Sequence, residues 1–116
     1  MSTTIYGIKN CSTMKKAFDW LEAHHIEYRF HDYKREGIDA ATLQRWCTTL
    51  GSAMLVNTRG TTWRKLSPTQ QALAGDADAI GLMQTYPSLI KRPVLDHDGS
   101  LLAGFSPDAW AKALLA

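Results

Sequence analysis

The chain has 116 residues, 45% of them hydrophobic and 21% charged, with a formal net charge of +2. That length fits one domain with an ordinary buried core, and the balance excludes a disordered chain. So small a net charge makes nucleic acid an unlikely partner, and no apolar run suits a membrane span or a secretory h-region, so a cytoplasmic protein is expected.

The first strand is expected over about Thr3 to Gly7, where Ile5 and Tyr6 favour extended backbone. Gly7, Lys9 and Asn10 then bring loop chemistry. Met14, Ala17, Phe18 and Leu21 recur at i, i+3, i+4 and i+7, which predicts a helix over about Ser12 to His25. Asn10 or Ser12 can cap it, leaving Cys11 at or beside its first turn. Backbone N–H groups there lack intrahelical partners, and the aligned peptide dipoles add positive potential. A thiolate is favoured in that setting, with a pKa below the free value of about 8.5. Lys9, Lys15 and Lys16 supply further positive charge. Cys11 is therefore expected to be reactive rather than a packing residue.

The stretch from Ile26 to Tyr33 reads as a second strand, with Tyr28 and Phe30 alternating against Arg29 and His31. Strand, helix and strand at this spacing predict a parallel, right-handed βαβ unit. Gly37 breaks the chain, and Asp39 caps a helix expected from about Ala40 to Leu50. Leu43, Trp46, Cys47 and Leu50 share one face of it, so Cys47 is expected in the core. Two cysteines alone make neither a disulfide framework nor a zinc site. A second reading makes Cys47 a resolving thiol for Cys11.

From Asn57 to Leu66 the chain is polar and basic, and Arg59, Trp63 and Arg64 follow no clean period. It reads as a loop entering a short helix, with Trp63 either lining a site or packing. Ser67-Pro68 is a helix-start signal. A helix is expected over about Asp76 to Tyr86, with Ala77, Ile80 and Met83 or Gln84 inward, stopped by Pro87. Two short apolar runs flank Asp98-Gly99, the strongest short hairpin signal. Ser106-Pro107-Asp108 then opens a last helix whose apolar face is Ala109, Trp110, Ala113 and Leu114. His24, His25, His31 and His97 lack metal-ligand spacing and are expected at the surface or as helix C-terminal partners. No metal site is expected. The order β-α-β, helices, β-β-α belongs to the α/β or α+β class, with a mixed four-stranded sheet flanked by helices in one continuous domain.

A cysteine ending the first strand and a proline opening a later antiparallel strand resemble the thioredoxin fold. The segments Ile5-Tyr6-Gly7-Ile8-Lys9-Asn10-Cys11, Asn57 to Leu66, Ile90-Lys91-Arg92-Pro93-Val94-Leu95 and Gly104-Phe105 occur in order along essentially the full length. On these the chain resembles the arsenate reductase (ArsC)/Spx family, most closely its YffB-like branch. The resemblance implies one thioredoxin-like α/β domain over 1–116, with a helical insertion at about 39–88 between the βαβ and ββα halves. It makes Cys11 the nucleophile, Arg92 an anion-binding arginine beside it, and Pro93 a cis-proline next to the sulfur. Arg64, or else Arg59, would give a second anion contact, and Lys9, Asn10 and Ser12 complete the expected binding set.

Arsenate reductases of this family carry a further arginine where this chain has Ser106, and a histidine where it has Gly7. Spx-type regulators use a Cys-x-x-Cys switch whose second position is Met14 here. What remains is a single thiol in basic surroundings, whose partner thiol must come from elsewhere. Glutathione, a small anionic thiol, suits Arg92, Arg64 and the lysines. The expected activity is thus glutathione-dependent thiol–disulfide reduction through a mixed disulfide, with no bound cofactor and with glutaredoxin as a further partner. One alternative is an arsenate reductase coupled to glutathione and glutaredoxin, acting on a small oxyanion. The other is an Spx-like regulatory module that docks on RNA polymerase or another protein without turnover.

Overall fold

Strands β1 (Thr3–Gly7), β2 (Arg29–Asp32), β3 (Val94–His97) and β4 (Ser100–Ala103) form one mixed sheet in the order β2-β1-β3-β4. β1 runs parallel to β2 and antiparallel to β3, and β3 pairs antiparallel with β4. The register places Phe30, Ile5, Leu95 and Leu102 side by side, an apolar row across all four strands. Onto the core around Ile5 and Leu95 fold Met14, Ala17 and Leu21 of α1 (Ser12–Ala23) and Trp110 of α8 (Pro107–Leu114). The computed structural model describes residues 2–115, and these fall into two compact units. One holds the sheet, α1 and α8, and is built from the chain up to Asp32 and from Arg92 onward; the other is Tyr33–Lys91.

The second unit is helical, and the insertion expected at about 39–88 lies inside it. It comprises α2 (Tyr33–Glu36), α3 (Ala40–Leu50), α4 (Ser52–Leu55), α5 (Thr61–Arg64), α6 (Pro68–Gln71), α7 (Asp76–Thr85) and a 3₁₀ turn at Pro87–Leu89. Its core includes Leu43, Trp46 and Cys47 of α3 with Ala79, Ile80 and Met83 of α7. Tyr33 stands edge-on to Trp46, ring centroids 6.4 Å apart.

Several expectations need correction. α1 stops at Ala23 rather than His25, because His25 takes the left-handed conformation at φ 57°. β2 begins at Arg29, not Ile26, and Tyr33 already belongs to α2, since the ladder with β1 runs only from Arg29 to Asp32. In α7 the inward residues are Ala79, Ile80 and Met83; Ala77 and Gln84 are exposed, and Gln84 Nε2 donates to the Ile38 carbonyl. In α8 Trp110 is buried and Leu114 half-buried, whereas Ala109 and Ala113 face solvent. His31 and His97 are not simple surface residues. His31 lies against Tyr6 at 4.8 Å, and His97 Nδ1 is 2.8 Å from Thr3 Oγ1. Among the described residues no helix is long and apolar enough to cross a membrane.

Candidate functional site

The chain leaves β1 at Gly7 and turns through Asn10, whose φ of 59° is left-handed. That turn makes Cys11 itself the N-cap of α1, with extended backbone at φ −114° and ψ 129°. The cap is thus neither Asn10 nor Ser12, contrary to the expectation from sequence. The Cys11 side chain stands where a capping oxygen normally stands. It forms no cap hydrogen bond of full geometry as a thiol, yet the N–H groups of Met14 and Thr13 face its sulfur. Partial burial pushes the Cys11 pKa up. The Met14 N–H, the Arg92 guanidinium and the Thr13 N–H together outweigh that cost and hold the thiol below its ordinary range. Arg92 acts twice, through a hydrogen bond to the sulfur and through its charge.

Arg92 reaches this position because it lies two residues before β3, which pairs with β1. The Arg92–Pro93 peptide bond is cis, Pro93 is buried, and its carbonyl accepts from the Gly104 N–H at 2.7 Å. Met14 is 1% exposed, and its thioether fills the space a Gly7 β-carbon would need. The position that would hold a second cysteine of a local dithiol is therefore a core contact.

Beside the sulfur opens a cleft of about 530 Å³. Lys9, Asn10 and Ser12 line it with Cys11, all three of them exposed. Phe18 and Tyr28 also line it, and nothing in their spacing marks them for binding. Their rings are stacked with centroids 5.6 Å apart. At Tyr28 the sequence signal is the alternation of Tyr28 and Phe30 against Arg29 and His31, which argues for a buried face rather than a cleft wall.

Arg59 and Arg64 belong to the helical unit, where both are exposed. Arg64 Nη2 donates to the Arg59 carbonyl at 2.8 Å, while the Arg59 N–H donates to Asn57 Oδ1 at 3.1 Å. Trp63 is half-buried in the same unit, with its carbonyl accepting from Gln71 Nε2 at 2.9 Å. Cys47 is a free thiol only 5% exposed, and burial together with Asp76 raises its pKa. The two thiols are thus tuned in opposite directions. Ser106, at the position where arsenate reductases were expected to carry arginine, is the N-cap of α8; its Oγ accepts from the Ala109 N–H at 3.3 Å.

The protein named YFFB is 52% identical, with a TM-score of 0.94 over 97% of this chain and 99% of its own. An arsenate reductase (ArsC) related protein from Brucella melitensis is 53% identical, with a TM-score of 0.76 over 99% of this chain and 95% of its own. The global transcriptional regulator Spx of Enterococcus faecalis is 27% identical over 90% of this chain and 80% of its own. Residues 6–113 match the model of the ArsC family, and a match of that extent, beginning before the cysteine turn and ending within α8, makes the chain a member of that family.

Proposed function

We propose that the protein is a glutathione-dependent thiol–disulfide reductase with Cys11 as its single nucleophile. The observation that carries this reading is the Cys11 sulfur at the N-cap of α1, with two backbone N–H groups and the Arg92 guanidinium lowering its pKa. A lowered pKa raises the thiolate fraction, and the thiolate is the species that attacks sulfur. Cys11 remains partly exposed beside an open cleft, so a disulfide can approach it.

In the proposed sequence the Cys11 thiolate attacks one sulfur of a disulfide R–S–S–R′. A Cys11–S–S–R bond forms, and the electron pair of the broken bond leaves on R′–S⁻. A glutathione thiolate then attacks this mixed disulfide, displacing R–S⁻ and leaving Cys11 joined to glutathione. A second glutathione releases Cys11 as thiolate and departs as glutathione disulfide. One substrate disulfide is reduced and two glutathione thiols are oxidised. Arg92 stabilises the starting and final thiolate; while Cys11 is held in a disulfide, the guanidinium's donors suit a glutathione carboxylate.

Oxyanion reduction has weaker support. Arsenate reductases of the family were expected to place an arginine where Ser106 caps α8, so one charge-assisted contact to a tetrahedral anion is missing here. The test is reduction of a low-molecular-weight disulfide by glutathione, with mass analysis of the trapped adduct. Wild type should turn over and carry one glutathione on Cys11, Cys47→Ser should keep the activity, and Cys11→Ser should lose it. Full glutathione-dependent activity in Cys11→Ser would end the reading.

A further inference from the structure

The cleft beside Cys11 differs from end to end. Phe18 and the ring of Tyr28 give it an apolar wall, and the carboxylates of Asp19 and Glu22 lie beyond them along α1. Positions 11, 14, 15, 18, 19 and 22 are spaced by threes and fours, so one side of the helix meets the cleft throughout. At about 1.5 Å of rise per residue, Asp19 and Glu22 stand roughly 12 and 16 Å along the axis from Cys11. Phe18 is fixed between Tyr28 and Phe30, the latter edge-on at 5.1 Å, so the apolar wall is built in place.

Both carboxylates have room for a ligand. Burial and the neighbouring Glu22 charge hold the Tyr28 phenol above its ordinary pKa, and its hydroxyl donates to Glu22. An ionised carboxylate offers about four acceptor sites, so one hydrogen bond leaves Glu22 with capacity. Asp19 pairs with Lys15 at 3.0 Å, but these side chains are 61% and 78% exposed. Such a surface pair is weak and readily exchanged.

We infer that this cleft selects a peptide disulfide: a half-cystine at Cys11, an apolar side chain over Phe18 and Tyr28, and a lysine or arginine at Asp19 and Glu22. The inference rests on the exchange reading above and names the substrate class for that same site. An extended peptide advances about 3.4 Å per residue, and a basic side chain adds its own stem. A basic residue two to four positions from the half-cystine therefore spans the distance. Glutathione has no apolar side chain for this wall, so the thiol that resolves the adduct is distinct from the disulfide that the cleft selects. At the selected step the Cys11 thiolate bonds to the peptide sulfur and the leaving thiolate takes the electron pair; no other reductant enters.

The test uses three peptides, Cys-Leu-Ala followed by Lys, Gln or Glu, each activated as a disulfide with thionitrobenzoate. Release of thionitrobenzoate is followed in single turnover, and the adduct is located by mass spectrometry. The Lys peptide should react at Cys11 about fivefold faster than the Glu peptide at low salt, with the ratio shrinking as salt rises. In Asp19→Asn/Glu22→Gln the ratio should fall to about one. Each ratio is internal to one protein, so it does not depend on the fraction folded. Equal rates for all three peptides at Cys11, or a ratio kept in the double variant, would overturn the cleft assignment and leave the exchange reading intact. If no peptide reacts at Cys11 while iodoacetamide still alkylates it, the exchange reading itself fails and this inference goes with it.

Discussion

Cys11 is governed by a balance in which burial opposes three lowering partners, and the partner a substitution can remove most cleanly is Arg92. Arg92→Ala should move the midpoint of Cys11 alkylation to higher pH, whereas Arg92→Lys should move it less, because a point charge survives without the planar fork. An unchanged midpoint in Arg92→Ala would assign the whole effect to the helix terminus. The same shift has a stability consequence. A thiol whose folded pKa is depressed stabilises the protein fully above the unfolded value of about 8.5, and loses that contribution as pH falls through the folded pKa. The stability gap between wild type and Cys11→Ala should therefore widen as pH rises through that window and level off above it. Gly7 is the neighbouring constraint. A β-carbon there meets the Met14 thioether, which is buried and must repack. Gly7→Ala should cost about 1–2 kcal/mol, the low side of overpacking because methionine is flexible, and should cost less in a Met14→Ala background. Equal urea-denaturation penalties in both backgrounds would show that Met14 is not what the new methyl meets.

At the scale of elements, what the sequence made legible was local polar chemistry. Asp39 caps α3 through Oδ1, 2.7 Å from the Thr42 N–H. Ser67 and Gln70 form a reciprocal capping box on α6. Asp98 and Gly99, both at positive φ, make the two-residue hairpin between β3 and β4. Each is decided within four residues, which is why periodicity and turn rules reach it. The four-residue helix α5 is too short to set up a period, so the stretch from Asn57 to Leu66 reads only as a loop entering a short helix, and α4, equally short, leaves no signal at all. Cys11 as cap was hidden for a different reason: sulfur is not among the preferred capping groups, and the neighbouring Asn10 and Ser12 are. The Cys11–Arg92 contact joins residues brought together only by the β1–β3 pairing, so residue spacing alone carries no trace of it and a family resemblance was needed. Asp39→Ala should lower stability by about 1 kcal/mol, read as an earlier urea midpoint with faster amide exchange in the first turn of α3. An unshifted midpoint would mean that solvent replaces the cap without loss.

For the whole molecule, two compact units each carry one cysteine, so the chain holds two thiol reporters with opposite tuning. Cys11 sits in the sheet unit with a lowered pKa; Cys47 sits in the helical unit with a raised one. Alkylation of Cys11 needs no unfolding. Alkylation of Cys47 needs the core around Leu43, Trp46 and Met83 to open, and its rate should track the population of that open state when reclosing is fast. Leu43 is fully buried on the same face of α3, and truncating such a leucine costs about 2–5 kcal/mol. At about 1.4 kcal/mol per tenfold, Leu43→Ala should speed Cys47 labelling roughly thirtyfold or more. The Cys11 rate, measured in the same samples, corrects for reagent and pH. If Cys47 in wild type labels as fast as Cys11, its burial does not protect it. If Leu43→Ala leaves the Cys47 rate unchanged, the thiol is reached by a fluctuation smaller than opening of the α3 core, and protection of Cys47 belongs to α3 alone rather than to the helical unit.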